Sequence, residues 1–329
     1  MARITSRLRE HTRLRVAVEL ALLAIFLGLL IWAIRGSFHA AGKDLSNADP
    51  VLLVLACAAV AAYYLVFVLG WMKILADWGV RISYPTALNS EIVSMLAKYV
   101  PGGVWTPAAR VVAMRRAGVK DAALVTAAML VEAGLSAVAG VLVFVISLAW
   151  VRGVNGPVIP IGIFGVVVAL LLYPRVFHAL ATRFLRRFGY HELPPLRAST
   201  LAGLLVFYAG TWVIGGTGVW LLLRSVGAHP AVSTIVFLGG VSAVGAIVAV
   251  LAFFAPSGLG AREGAMYGLM LAITSSGAAL SATLLNRVAI TLVEVLLLLF
   301  GALVLRRKER RDSRGSSPAS AAAEPAPRG

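Results

Sequence analysis

Glu132 and Arg287 are an acid and a base set 155 positions apart, each inside a long apolar run. Glu132 lies mid-way along Ala122–Trp150, and Arg287 lies early in Leu280–Leu305. An isolated charge at the centre of a bilayer-spanning helix costs roughly 2.5–3.5 kcal/mol on insertion scales. Facing each other across a shared interface would relieve part of that cost. Such a pair serves either as a gate or coupling element in a transporter or as a purely structural ion bridge. Glu294, one heptad beyond Arg287, falls on nearly the same helix face and competes for it.

The same offset of 155 relates two turn-like phrases, Tyr99-Val100-Pro101-Gly102-Gly103-Val104 and Phe254-Ala255-Pro256-Ser257-Gly258-Leu259. Proline removes a backbone donor and breaks a helix, and glycine permits a tight return. Pro101, Gly102, Gly103, Pro256, Ser257, Gly258 and Gly260 therefore read as hairpin turns. The bland alternative is an ordinary interfacial loop at each place. Non-helical backbone at membrane depth is tolerated only where it is buried in protein or lines a wet cavity.

Cations flank both phrases. Lys98, Tyr99 and Arg110 surround the first, and Arg262 and Glu263 follow the second. An arginine near a broken-helix terminus suits a phosphate or another anionic lipid headgroup, through paired hydrogen bonds and the helix dipole. Arg110, close to Arg115 and Arg116, equally fits plain cytoplasmic loop charge. Arg262 has apolar neighbours on both sides and resists that explanation. Tyr99 and Trp105 suit interface anchors or the lining of a lipid groove. Gly260, Gly264 and Gly268 form a small-xxx-small ladder that predicts close helix packing.

These residues need a membrane fold to hold them. The chain has 329 residues, 60% of them hydrophobic, with a mean hydropathy of +0.90. Apolar runs of about 20 residues mark a polytopic all-α integral membrane protein. The net charge is +16, from 30 Lys and Arg against 14 Asp and Glu. That charge lies in loops and tails rather than in a soluble patch, so it implies anionic lipid and not nucleic acid. Cys57 is the only cysteine, which excludes an internal disulfide and a cysteine metal cluster. The five histidines and five aspartates show no metal-ligand spacing, and no cofactor is implied. No zincin or phosphate-loop motif is present, and the glycines of 258–264 have no strand before them. An intramembrane enzyme is therefore disfavoured.

Six full spans are expected: Val16–Ile34, Val51–Ala76, Ala122–Trp150, Val158–Tyr173, Leu201–Leu223 and Leu280–Leu305. The first exceeds a secretory h-region of about 7–15 residues and reads as an uncleaved span. Two further regions, Ala87–Ala113 and Ala231–Ile273, are interrupted by Pro and Gly. The arm from Leu88 to Val100 is about 20 Å as a helix, too short for a core of about 30 Å. A re-entrant hairpin follows there. The longer first arm of Ala231–Ile273 leaves a full pair of spans open, so six to eight transmembrane helices are expected. Basic residues precede the first and third spans and follow the fourth and last, which places both termini in the cytoplasm.

The expected order is a basic cytoplasmic segment over 1–15, a membrane domain over 16–305 and a tail over 306–329. Within the domain, repeat one (16–150) and repeat two (158–305) have inverted topology, an arrangement that places sites near the bilayer midplane. The composition of 306–329 predicts disorder.

The two phrases, Tyr99-Val-Pro-Gly-Gly-Val-Trp105 with Arg110 and Pro256-Ser-Gly-Leu-Gly-Ala-Arg-Glu-Gly264, resemble the lysylphosphatidylglycerol synthase transmembrane-region family. That family is the flippase-like membrane half of bacterial multiple peptide resistance factors. Glu132 and Arg287 fall where it tends to carry an acid and a base. The family commonly has Pro-Gly-Gly where this chain has Pro256-Ser257-Gly258. Its full-length synthases carry a soluble aminoacyl-transferase domain after the membrane part, whereas this chain ends soon after its last span. The resemblance thus implies lipid handling in the cytoplasmic membrane without aminoacylation. Stand-alone members are often associated with lipid-linked sugars or envelope lipids.

Two functions are expected from this. One is a flippase for an anionic or glycosylated cell-envelope lipid, with Lys98, Tyr99, Arg110, Arg262 and Glu263 at the headgroup and Glu132, Arg287 and Glu294 as gate or ion pair. The other is a non-transporting membrane partner that binds or presents a polyprenyl-linked sugar to a glycosyltransferase.

Overall fold

A computed structural model describes residues 47–97, 105–149, 196–252 and 258–315. These residues form eight helices and no strand: α1 Pro50–Asp77, α2 Tyr84–Ala97, α3 Trp105–Arg116, α4 Ala122–Ser147, α5 Ala198–Ser225, α6 Thr234–Leu251, α7 Ala261–Met270 and α8 Ser276–Gly315. The expected spans Val16–Ile34 and Val158–Tyr173 and the N-terminal segment lie outside the described residues. So do Lys98, Tyr99, Pro101, Gly102, Gly103, Pro256 and Ser257.

Helix starts follow local chemistry. Pro50 opens α1 at a position where its missing donor is harmless, and the Asp49 carboxylate accepts from the backbone N–H of Val51 at 2.8 Å. Asp121 caps α4 through the N–H groups of Ala123 and Leu124, at 3.1 and 2.9 Å. The backbone N–H of Gly260, at the start of α7, donates to Glu263 Oε2 at 2.7 Å. These bonds satisfy donors that a helix start otherwise leaves orphaned.

Five helices are long and apolar enough to cross a membrane: α1, α4, α5, α6 and the Ser276–Gly301 part of α8. Four of them coincide with expected full spans. α2 and α3 have 14 and 12 residues, about 21 and 18 Å at 1.5 Å per residue, too short for a core of about 30 Å. They pack against each other. In the second interrupted region α6 is long enough to cross, but α7 has only 10 residues. The region is therefore one long arm and one short arm, not two full spans. α8 runs unbroken to Gly315, past the boundary expected at Leu305. The basic and acidic residues after Leu305 are good helix formers and extend a helix already nucleated.

α1 and α5 lie antiparallel and are tied at both ends. The backbone N–H of Asp49 donates to Ser225 O at 2.9 Å, and Thr200 Oγ1 donates to Asp77 Oδ2 at 2.7 Å. α6 is the most buried span and packs on α4, α5 and α7. Glycines make this possible. A Cβ on Gly216 or Gly239 would overlap backbone atoms of the facing helix, so α5 and α6 meet backbone to backbone. The expected ladder of Gly260, Gly264 and Gly268 does not do this job: Gly268 faces open space and Gly260 precedes its helix. One apolar cluster, with Trp71, Ile74, Leu75, Met114 and Tyr208, joins α1, α3, α4 and α5. Another, with Phe237, Leu238, Val241, Met266 and Met270, joins α5 to α8 around α6. Large apolar side chains left exposed on α1, α4 and α8, such as Val54, Ile146 and Phe300, are what a bilayer-facing surface requires.

Candidate functional site

Two polar clusters sit inside this apolar bundle. The first is built on α2, α3 and α4. α3 turns Arg110 and Met114 inward on one helical face and leaves Arg115 and Arg116 exposed. Arg110 is only 3% exposed. Its Nη1 donates to Glu132 Oε2 at 2.7 Å, and its Nη2 forms an ion pair with Glu91. Nε and Nη2 both reach Ser94 Oγ at 3.4 Å, and the Arg110 guanidinium carbon lies 4.7 Å from the centre of the Trp71 ring. Glu132 and Glu91 are 4% and 9% exposed.

This corrects two expectations. Glu132 is paired with Arg110 rather than with Arg287, because α3 folds back against α4 and brings its arginine to mid-span. The Arg110 donors face carboxylates and a serine, so Arg110 belongs to an ion cluster and not to a headgroup site or to loop charge. Arg287 Nη1 instead lies 3.6 Å from Glu263 Oε1 on α7. Glu263 thus bonds the Gly260 N–H with one oxygen and faces Arg287 with the other. The pair borders a cavity of about 190 Å³ between α7 and α8, lined by Leu259, Tyr267, Leu280 and Leu284 among others.

The second cluster lies between α1, α5, α6, α7 and α8. A cavity of about 130 Å³ is lined by Tyr63, Tyr64, Trp212, Ser242, Arg262 and Asn286, with aliphatic neighbours. Arg262 Nε is buried and has no hydrogen-bond partner among the described residues. A donor on a cation left unsatisfied in an apolar bundle is costly unless something occupies the space before it. The Asn286 amide makes only a weak bond, donating to Met266 Sδ at 3.6 Å. Tyr64 Oη donates to Glu294 Oε1 at 2.5 Å, which holds Glu294 behind the Tyr64 side of this cavity. Trp212 Nε1 donates to Ser136 O at 2.8 Å and stacks obliquely on Tyr63, their centroids 5.7 Å apart. The cavity wall is thereby fixed to α4, one turn from Glu132.

The turn behind Arg262 is shaped by Gly258. Its φ of +65° is a left-handed conformation, and a Cβ there would overlap Ala249 on α6. Gly258 therefore lets the start of α7 press onto α6, and Arg262 follows on the cavity lining. Glu91, Tyr63, Tyr64, Trp212, Ser242 and Asn286 gave no motif in the sequence. Glu91 carried the one usable signal, an acid among the apolar residues of α2.

Among the described residues no group of three or more His, Cys, Asp or Glu is placed to hold a metal. Asp49 and Asp121 serve as helix caps, and Asp77 ties α1 to α5. A model of the family described as Lysylphosphatidylglycerol synthase TM region matches residues 17–310, most of the chain. No curated protein matches it.

Proposed function

The chain belongs to the lysylphosphatidylglycerol synthase TM region family, and from that premise we propose that it is a non-enzymatic translocase for an anionic or glycosylated envelope lipid. The observation that carries this proposal is the Arg262 cavity. A guanidinium with an unpartnered buried Nε, an amide and hydroxyls converge there inside an otherwise apolar bundle. Arginine binds phosphate through a planar fork of donors, and Asn286, Ser242 and Tyr63 add the hydrogen bonds that a phosphate or sugar would use. Lipid tails remain outside, against the exposed apolar faces.

The two short-armed regions fit an inverted repeat. A shift of 155 positions carries α3 onto 260–271 and α4 onto 277–302, which are α7 and the membrane part of α8 within one residue. The loop charges orient the first short pair toward the cytoplasm and the second toward the outside. Broken helices that open from opposite sides are the usual frame for alternating access around a central site. With both termini cytoplasmic, the host is the cytoplasmic membrane.

The test is headgroup-labelled lipid movement in proteoliposomes, beside native mass spectrometry of co-purified lipid. Arg262→Ala is expected to remove at least nine-tenths of both translocation and bound lipid, and Arg262→Lys to restore part. Unchanged transport in Arg262→Ala sinks the site. Tight lipid binding without translocation by the wild type favours the second role, presentation of a polyprenyl-linked sugar to a glycosyltransferase.

A further inference from the structure

We propose that Glu91, Arg110 and Glu132 form a buried proton-binding site, in which two carboxylates on one guanidinium share one exchangeable proton. As a coupling device this rests on the translocase reading above; as a proton site it does not.

Charge balance is the starting point. Arg110 contacts both carboxylates, and as whole residues Glu91, Arg110 and Glu132 are 9%, 3% and 4% exposed. With both acids ionised the cluster carries one uncompensated negative charge in a membrane interior. Two carboxylates sharing a site do not both ionise there at tolerable cost. The surrounding groups bring no second cation among the described residues. The cluster meets Trp71 on α1 and Ser90 and Ser94 on α2, while Tyr63 on α1 and Tyr208 on α5 lie within electrostatic reach of Glu132. Arg262 on α7 reaches Tyr63 electrostatically, and Glu294 on α8 is held by Tyr64. Lys98, one heptad beyond Glu91, lies outside the described residues.

The structure also offers a place for the proton. Glu132 Oε1 is buried without a hydrogen-bond partner, and so is Tyr208 Oη, which lies within electrostatic reach of Glu132. A proton taken from water onto this carboxyl makes it a donor and leaves hydroxide or, from hydronium, water behind. A metal cation would need room and several oxygen ligands, but none of the cavities described above is lined by Glu91, Arg110 or Glu132. A proton needs no such space.

Tyr63 joins this cluster to the headgroup cavity. It lines the cavity and feels both Arg262 and Glu132. An anionic group arriving before Arg262 adds negative charge next to Tyr63 and favours the protonated cluster. By linkage, protonation favours the anion in return. Apparent affinity for the anionic lipid should then rise by up to about tenfold for each pH unit lowered, the limit for uptake of one proton.

Infrared difference spectra of the purified protein, stepped between acidic and alkaline pH, read the proton directly. A protonated-carboxyl band should be present in the wild type at neutral pH and disappear on alkalinisation. Glu91→Gln and Glu132→Gln should each lack it, because either leaves a neutral one-to-one pair with Arg110 that should still fold. No band in the wild type, as expected if Lys98 supplies the second cation, overturns the site, and so does a band that persists in either variant. In proteoliposomes an imposed pH gradient should drive lipid movement by the wild type and not by Glu132→Gln. A wild type with the band and no lipid movement keeps the proton site and sinks the translocase reading instead.

Discussion

At the scale of single residues the decisive group is Arg110. It contacts two buried carboxylates at once, so its loss is more than the loss of a contact. Arg110→Ala should destabilise the protein by about 3–5 kcal/mol, the usual cost of leaving buried charge unpaired. Thermal unfolding followed by tryptophan fluorescence in detergent reads this. A variant with Arg110→Met, Glu91→Gln and Glu132→Gln together should recover most of the loss, because it removes the stranded charges as well. If it unfolds as early as Arg110→Ala, packing rather than charge holds this region. The sequence revealed that Glu132 is buried but not its partner. Arg110 stands five residues before Arg115 and six before Arg116, and a linear count merges the three into one basic loop. Helical spacing separates them, since Arg110 and Met114 share the inward face. Arg287 was equally visible, yet its neighbour Glu263 depends on how α7 folds back, which no local pattern records.

At the scale of elements, hydropathy was enough to place α1, α4, α5 and the membrane part of α8 to within a few residues, because long apolar runs have few other homes. Which helix faces which is a matter of small residues in three dimensions, and here the sequence misleads. The Gly260, Gly264 and Gly268 spacing looks like a packing motif, whereas the backbone contact falls at Gly216 and Gly239. The contrast is testable with two substitutions. Gly239→Val drives a branched side chain into the α5 backbone near Trp212 and should cost about 1–3 kcal/mol or more, with weakened lipid binding because Trp212 walls the cavity. Gly268→Ala meets nothing within 4 Å and should be neutral or stabilise by up to about 1 kcal/mol through helix propensity. Paired melting curves decide between them. A destabilising Gly268→Ala beside a harmless Gly239→Val would mean that α6 is not the central helix.

At the scale of the whole molecule, the two short-armed regions make sense only together. Each short helix alone buries too little to stand in a bilayer, and each packs against a partner arm and a long span. The orientation proposed from loop charge gives the pair opposite senses, with α2 starting at the cytoplasmic face and α6 at the outer face. This is open to a direct chemical check, because Cys57 is the only cysteine of the chain. In a Cys57→Ala background, Ser83→Cys precedes α2 and Ser233→Cys precedes α6, both at exposed positions. An impermeant maleimide should label Ser83→Cys only in inside-out vesicles and Ser233→Cys only in right-side-out ones. Labelling of both from one side would break the inverted arrangement. The Arg262 cavity would then lie between arms that open in the same direction. A headgroup could enter and leave by one face alone, which is binding and presentation, not translocation.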